Sequence, residues 1–455
     1  MSALSGWRSA SPVAAASTCS PRSNRGILVR TALVAGLMGL VFGGLGSPAA
    51  PAPARAAEPV RVMVWGGQPE IDTYEKVLSR FRQEHPDIPV RLEPVPWGQY
   101  MNKLQVYIAS GTAPDVVLLN GAFIRDLETQ GALVDLNPLI ARSKFPLSEY
   151  WDTKDILQVN GKFYALPLFG DVAALYYNRT AVEQSGLPAP AATWKWDDLR
   201  EAARKLTIRA GGQTSRYGVI WDIGGNGQSS YLNFLLQNGV RYLSEDRTHS
   251  QLASAPAIAA ISYWIEMIRQ DGSATPPERI ASVSQNFLDQ KAAMAYHLIP
   301  LPVNLFQQAK FDWDVVPMPA GPKGKASEVN FIGFGIVAGN KRMDEAWQVL
   351  SFLVGEEGQR TFASLRQNLP AMRSALTNLA FADPQRPPRS LIPTLQATMQ
   401  SPTYDLQFTA GWTDWTNLLG SAMMEIAKGS KPVEVGLREV SDKINVVLRK
   451  ASQSR

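Results

Sequence analysis

The side chains able to do chemistry in this chain are aromatic rings, carboxyls and amides. Its 455 residues include 12 tryptophans, 13 tyrosines and 16 phenylalanines, but one cysteine and three histidines. The histidines stand at positions 85, 249 and 297, and none belongs to an H-E-x-x-H zinc pair. G-P-K-G-K-A at 321–326 lacks the spacing of a phosphate-cradling P-loop. Gly224, Gly225 and Gly227 do not make a dinucleotide fingerprint, and no G-x-S-x-G elbow or EF-hand loop occurs. Rings and planar polar groups suit a different task. A ring face covers the apolar C–H side of a polyhydroxylated molecule, while acids and amides bond its hydroxyls. The candidates are Trp65, Gln68 and Glu70, then Asn120, Trp221 beside Asp222, His297, and Trp412 spaced i, i+3 from Trp415. Each has a packing alternative. Trp65 can cap a core, His297 can be satisfied structurally, and one of Trp412 and Trp415 can face inward.

The elements that must position these residues read as alternating strands and helices. The run 60–65, V-R-V-M-V-W, predicts a strand ended by Gly66-Gly67. Ile71, Tyr74, Val77, Leu78 and Phe81 mark one helical face, and 90–95 is a second strand. The spacing predicts a further helix over 97–110, closed by Gly111 and Pro114, before the buried strand 116–119. This β-α-β-α-β order implies a parallel sheet with helices on its faces. Loops after such strands face the ligand crevice, which is where Trp65, Gln68, Glu70 and Asn120 fall. Asn160-Gly161 between two short apolar runs predicts a type I′ hairpin. Trp221 and Asp222 follow a strand at 217–220 and precede G-G-N-G, a pliable loop. Helices are expected over 196–206, 229–237, 257–270, 344–353, 358–365, 412–428 and 433–448.

A-S-G-T-A-P-D-V-V at 109–117 resembles the signature of extracellular solute-binding proteins of the maltose-binding type, the capture subunits of ABC sugar importers. The order of features around it extends the resemblance over nearly all of the chain after residue 56. The resemblance implies a two-lobed α/β fold, each lobe a mainly parallel sheet flanked by helices, joined by hinge strands. It divides the chain into 57–170 and 331–385 in the first lobe, and 171–330 and 386–455 in the second. Chain crossings are implied near Asp171, Phe331 and Asp383, with Gly333 in the return crossing F-I-G-F-G-I-V-A at 331–338. Aligning Y-Y-N at 176–178 places Asp171 where the family holds a ligand-bonding carboxylate. It also points the strand end carrying His297 into the cleft. The implied partners are a carbohydrate ligand and the membrane permease subunits, with the binding protein acting as a monomer, without metal or cofactor.

Charge and cysteine usage bear on location. Arg8, Arg22, Arg25 and Arg30 precede the uncharged apolar run 31–45, followed by small residues and A-R-A at 54–56. This is the pattern of a cleavable export signal over 1–56, and the apolar run is short for a membrane span. The net charge of +5 comes from that segment, which holds five arginines and no acid. Without it, 40 basic residues face 40 acidic ones, giving no electrostatic reason to expect nucleic acid. Cys19 precedes the apolar run, so no lipid-anchoring cysteine follows it. A periplasmic location is expected. The rival reading is a secreted glycan-active enzyme, which needs two carboxyls across a cleft, a pair that Asp171 with Glu70 could mimic. A binding protein of the same fold for a polyol or glycerol-phosphodiester is the other alternative.

Overall fold

The computed structural model describes residues 58–152, 154–299, 308–364, 369–377, 385 and 387–453. Residues 1–56, where an export signal is expected, lie outside these residues, as do Cys19 and Asp383.

The first strands form where the apolar runs predict them. β1 (Val60–Val64) runs parallel to β2 (Val90–Pro94) on one side and to β3 (Val116–Asn120) on the other. The helix Gln68–Glu84 covers them, with Tyr74, Val77, Leu78 and Phe81 buried at helical spacing. Asp115 fixes the entry to β3 across the sheet: one carboxylate oxygen accepts from the Arg61 backbone N–H at 2.7 Å, the other from Asn340 Nδ2 at 2.9 Å.

β4 (Gln158–Val159) and β5 (Lys162–Phe163) make the expected hairpin, with Asn160 at φ 52° and Gly161 at φ 78°. A type I′ turn requires positive φ at both positions. β6 (Leu166–Asn178) is the longest strand, at 13 residues. After it come β7 (Ile208–Ala210), β8 (Gln213–Ile220), β9 (Ala292–Ile299), β10 (Trp313–Pro317) and β11 (Ser327–Ile336). β12 (Leu369–Pro370) and β13 (Thr403–Tyr404) are short edge additions.

The strands join into a sheet of order β2-β1-β3-β11-β6-β9-β8-β7, with β10 and β12 on β6 and β13 on β11. The β1–β3 group and the β8–β9 pair are parallel, as expected of each lobe. The crossing strands β6 and β11 are antiparallel to each other and to β9 and β3. Their pairing joins the parallel group β1–β3 to the parallel pair β8–β9 within one sheet.

Strand alternation on β6 serves two cores. Val172, Ala174 and Tyr176 enter a cluster with β1–β3 and the helices Gln68–Glu84 and Met343–Val354. Ala173, Leu175 and Tyr177 enter a second cluster with the helices Trp196–Leu206, Tyr231–Gln237, Ala255–Arg269, Trp412–Lys428 and Val433–Gln453. The helix Leu391–Met399 carries no obvious sequence signal, with Pro393 in its first turn. It packs Leu391 and Leu395 into the first cluster, and Thr394 bonds the Val315 carbonyl at 3.0 Å. Among the described residues no helix is long and apolar enough to cross a membrane.

Candidate functional site

The carboxyl ends of β1, β2 and β3 bring four rings together. Trp65 follows β1, Trp97 and Tyr100 open the helix Trp97–Ala109 after β2, and Phe123 opens the helix Gly121–Glu128 after β3. Phe123 stacks between Trp97, at 5.5 Å and 26°, and Tyr100, at 5.9 Å and 11°. Trp65 meets all three edge-on, at 5.1, 4.8 and 5.6 Å. The Tyr100 hydroxyl bolts the cluster down by donating to the carbonyls of Met63 and Leu118. Trp97 is the open member, 56% exposed. Edge-to-face and offset contacts fix ring orientation, so the group forms a rigid apolar platform beyond the carboxyl ends of the three strands.

Other residues expected in this loop region have local duties. Asn120 caps the helix after β3, its Oδ1 accepting from the Phe123 N–H at 2.9 Å, which sets where the Phe123 ring begins. Gln68 is exposed and donates to Asp72 at 2.6 Å. Glu70 lies partly exposed in the first turn of its helix, against Gly66, where an added Cβ would sit 2.8 Å from the Glu70 Cβ.

On the crossing strands, Asp171 is partly exposed and accepts from Gln228 Nε2 at 2.5 Å. The same nitrogen donates to Glu328 Oε1 at 3.1 Å. Asp171 stands opposite Asn330 in the β6–β11 register, and residues two apart share a face, so Asp171, Asn330 and Glu328 lie on one side of the sheet. Glu328 is fully buried. Burial pushes the Asp171 carboxyl up from 3.8 to about 7, against the opposing pull of the Gln228 bond. Burial, with Asp171 close by, holds Glu328 well above the usual carboxylate range. Beyond Glu328, Asp405 is clamped by Arg241 and by Arg247, the latter at 2.8 Å.

His297 occupies a different face. It pairs with Ala174 on β6, whereas Asp171 shares its face with Ala173. His297 Nδ1 accepts from the Leu298 N–H at 2.9 Å, and burial lowers the imidazole to about 4, so the ring is neutral at pH 7. It lines a cavity of ≈ 470 Å³ with Asp222, Gly224, Ser229, Ser282 and Met424. The 222–229 loop thus reaches both the His297 cavity and, through Gln228, the acid pair.

Two expected residues are placed by packing. Trp221 has no exposed surface; its ring stacks on Trp264 at 5.7 Å and meets Phe234 and Tyr296 in the second core. It has no face to offer the crevice. Gly333 is interior to the sheet, where an added Cβ would lie 2.1 Å from the Leu166 carbonyl oxygen, so its role is the close approach of β11 to β6. Trp412 is partly exposed at the start of its helix and packs on Phe408 at 4.7 Å, while Trp415 is fully buried and donates to Thr409. Phe408 in turn fills the space beside Gly121, where a Cβ would come within 2.3 Å of its ring.

Sequence reasoning passed over Trp97, Phe123, Gln228 and Glu328. The first two follow strands β2 and β3 as directly as Trp65 follows β1, so the same crevice rule reaches them. Glu328 gave the weaker signal of one acid beside an apolar run. Gln228 gave none, because its partners are 57 and 100 residues away.

The family model for bacterial extracellular solute-binding proteins matches residues 67–360. A putative binding protein of Brucella abortus is 26% identical, over 83% of this chain and 90% of its own length. The maltodextrin-binding protein MdxE of Bacillus subtilis is 24% identical, over 82% of this chain and 86% of its own. The solved structure of the sugar-binding protein MalE from Xanthomonas citri shares the fold, with a TM-score of 0.76, 19% identity, and coverage of 86% and 98% of the two chains.

Proposed function

Because the chain belongs to the family of bacterial extracellular solute-binding proteins, we propose that it captures a sugar or oligosaccharide between two lobes and hands it to the membrane subunits of an ABC importer. One observation carries this reading. A rigid ring platform stands at the carboxyl ends of β1–β3, and a hydrogen-bonding acid, Asp171, stands on the strand that crosses to the other lobe. Ring faces and carboxyls are the two devices that hold a sugar. Relatives named for maltodextrin and sugar binding support it.

In this reading Trp97 and Trp65 cover a sugar ring face, Gln68, Glu70 and Asn120 line the rim, and Asp171 accepts hydroxyl bonds. Trp412 contributes from the second lobe, which comprises 171–330 and 386–455, while His297 lines a separate cavity on the other face of the sheet. Segments 57–170 and 331–385 form the first lobe, and the crossings act as hinges that close on the ligand. Residues 1–56 direct export to the periplasm, where the mature chain works as a monomer. In this reading no bond is made or broken, and Asp171, which accepts from Gln228 Nε2 at 2.5 Å, holds the ligand rather than reacting with it.

The test is a thermal-shift screen against mono- and oligosaccharides, with the ligand recovered and analysed afterwards. A ligand at 100 times its Kd stabilises the folded state by about 2.7 kcal/mol, a readable rise in Tm. A panel that leaves Tm unmoved, or a saccharide recovered cleaved, sinks the proposal.

A further inference from the structure

The face shared by Asp171, Asn330 and Glu328 is oversupplied with acceptors. Among the described residues, the donor that reaches its carboxyls from another element is Gln228 Nε2, which serves both. Among the described residues, Glu328 Oε2 and Asn330 Oδ1 are buried without a partner. Glu328 is fully buried and Asn330 is 8% exposed, so both acceptors carry a desolvation cost that no protein donor among the described residues offsets. Neither Asp171 nor Glu328 has a lysine or arginine partner among the described residues, and Arg241 and Arg247 are both engaged by Asp405. What the face lacks is a donor-rich group of positive charge.

We propose that the Asp171–Glu328 pair is a subsite for a protonated amine on the ligand, so that the protein selects an amine-bearing saccharide over its neutral analogue. This rests on the saccharide reading above. An ammonium brings three donors and a full charge to the place where the Gln228 carboxamide now bridges two acids. A metal ion is the poorer fit, because no three acid, imidazole or thiol groups among the described residues converge to hold one.

The surroundings suit an exchange of occupants. Gln228 is partly exposed and follows Gly225 and Gly227, both at positive φ, 61° and 69°. Such a loop can re-aim one side chain at low cost. The carboxyl beneath it stays fixed. Asn233, fully buried, donates to the Gln228 carbonyl at 2.7 Å and accepts from the Glu328 N–H at 3.0 Å. The raised proton affinity of both acids has the same origin: negative charge buried with no cation beside it.

Calorimetry at pH 7 with matched pairs tests the proposal: glucose against glucosamine, galactose against galactosamine, and cellobiose against its fully deacetylated diamino counterpart, chitobiose. The N-acetylated sugars serve as uncharged controls. The expected result is at least tenfold tighter binding of the amine in the pair that binds. Glu328→Gln, which keeps shape and removes the group's capacity to ionise opposite an ammonium, should bring the ratio close to one, and Asp171→Asn should lower it independently. Equal binding of amine and neutral sugar overturns the subsite alone, as does a preference that survives both substitutions. If no member of any pair binds, the subsite and the saccharide reading fall together.

Discussion

Replacing Trp97 with alanine separates ligand contact from packing more cleanly than any other change in the crevice. Trp97 is 56% exposed, with its inner face on Phe123 and its edge toward Trp65. A fully buried tryptophan removes about 250 Å² from water, so the buried part of this one is on the order of 100 Å². At about 25 cal/mol per Å² the substitution costs at most roughly 2.5 kcal/mol of stability, and less against a compact unfolded chain. The exposed part is the larger share. Covered by a sugar ring it offers comparable burial plus about 1 kcal/mol of face contact, reduced by the desolvation of neighbouring hydroxyls. The net expectation is a loss of about 1.4–2.8 kcal/mol of binding, ten- to a hundredfold in Kd. Trp65→Ala makes the contrast. Its ring is wedged among three others at 4.8–5.6 Å, and its removal leaves a cavity costing about 3 kcal/mol. Calorimetry with the saccharide identified by thermal shift, and denaturant melts on both variants, give the two readings. Wild-type affinity in Trp97→Ala would refute the platform's role in binding. Equal stability losses in the two variants would refute the division between open and wedged rings.

The titrations of Asp171 and His297 predict opposite slopes of stability with pH. From 3.8 to about 7 the folded chain keeps a proton on Asp171 that the unfolded chain has released, so this group's contribution falls as pH rises through that window. Asp171→Asn should flatten that fall in thermal melts from pH 4 to 8, and an unchanged profile counts against it. From 6.5 down to about 4 the unfolded chain binds a proton that the folded His297 refuses, so stability drops as the solution is acidified. His297→Gln should weaken this acid-side loss; an identical loss in the variant contradicts the burial of the imidazole. Gly333→Ala forces a Cβ to within 2.1 Å of the Leu166 carbonyl oxygen, where only backbone movement relieves the clash. A destabilisation of about 1–3 kcal/mol is expected in urea melts, and a neutral result would mean that β6 and β11 separate freely. Small-angle scattering should show a smaller radius of gyration at saturating ligand, and an unchanged radius argues for a rigid crevice.

Local periodicity determined the elements. Apolar alternation, helical spacing and the Asn160-Gly161 turn each act over a few residues, and strands, helices and hairpin formed where those patterns lay. The order β-α-β-α-β also determined that Trp65 and Asn120 would stand at the carboxyl ends of parallel strands. Tertiary structure decided which rings stay open. Trp221 follows its strand as Trp65 does, but Trp264 and Phe234 from two helices close over it, whereas Trp97 is left uncovered. It also decided the environment of Asp171. Its proton affinity depends first on burial by a sheet that exists only once β6, β9 and β11 have paired, and then on Gln228, which is brought in from a distant part of the chain. Burial and charge are sums over everything that packs around a group, and no window of sequence contains those neighbours.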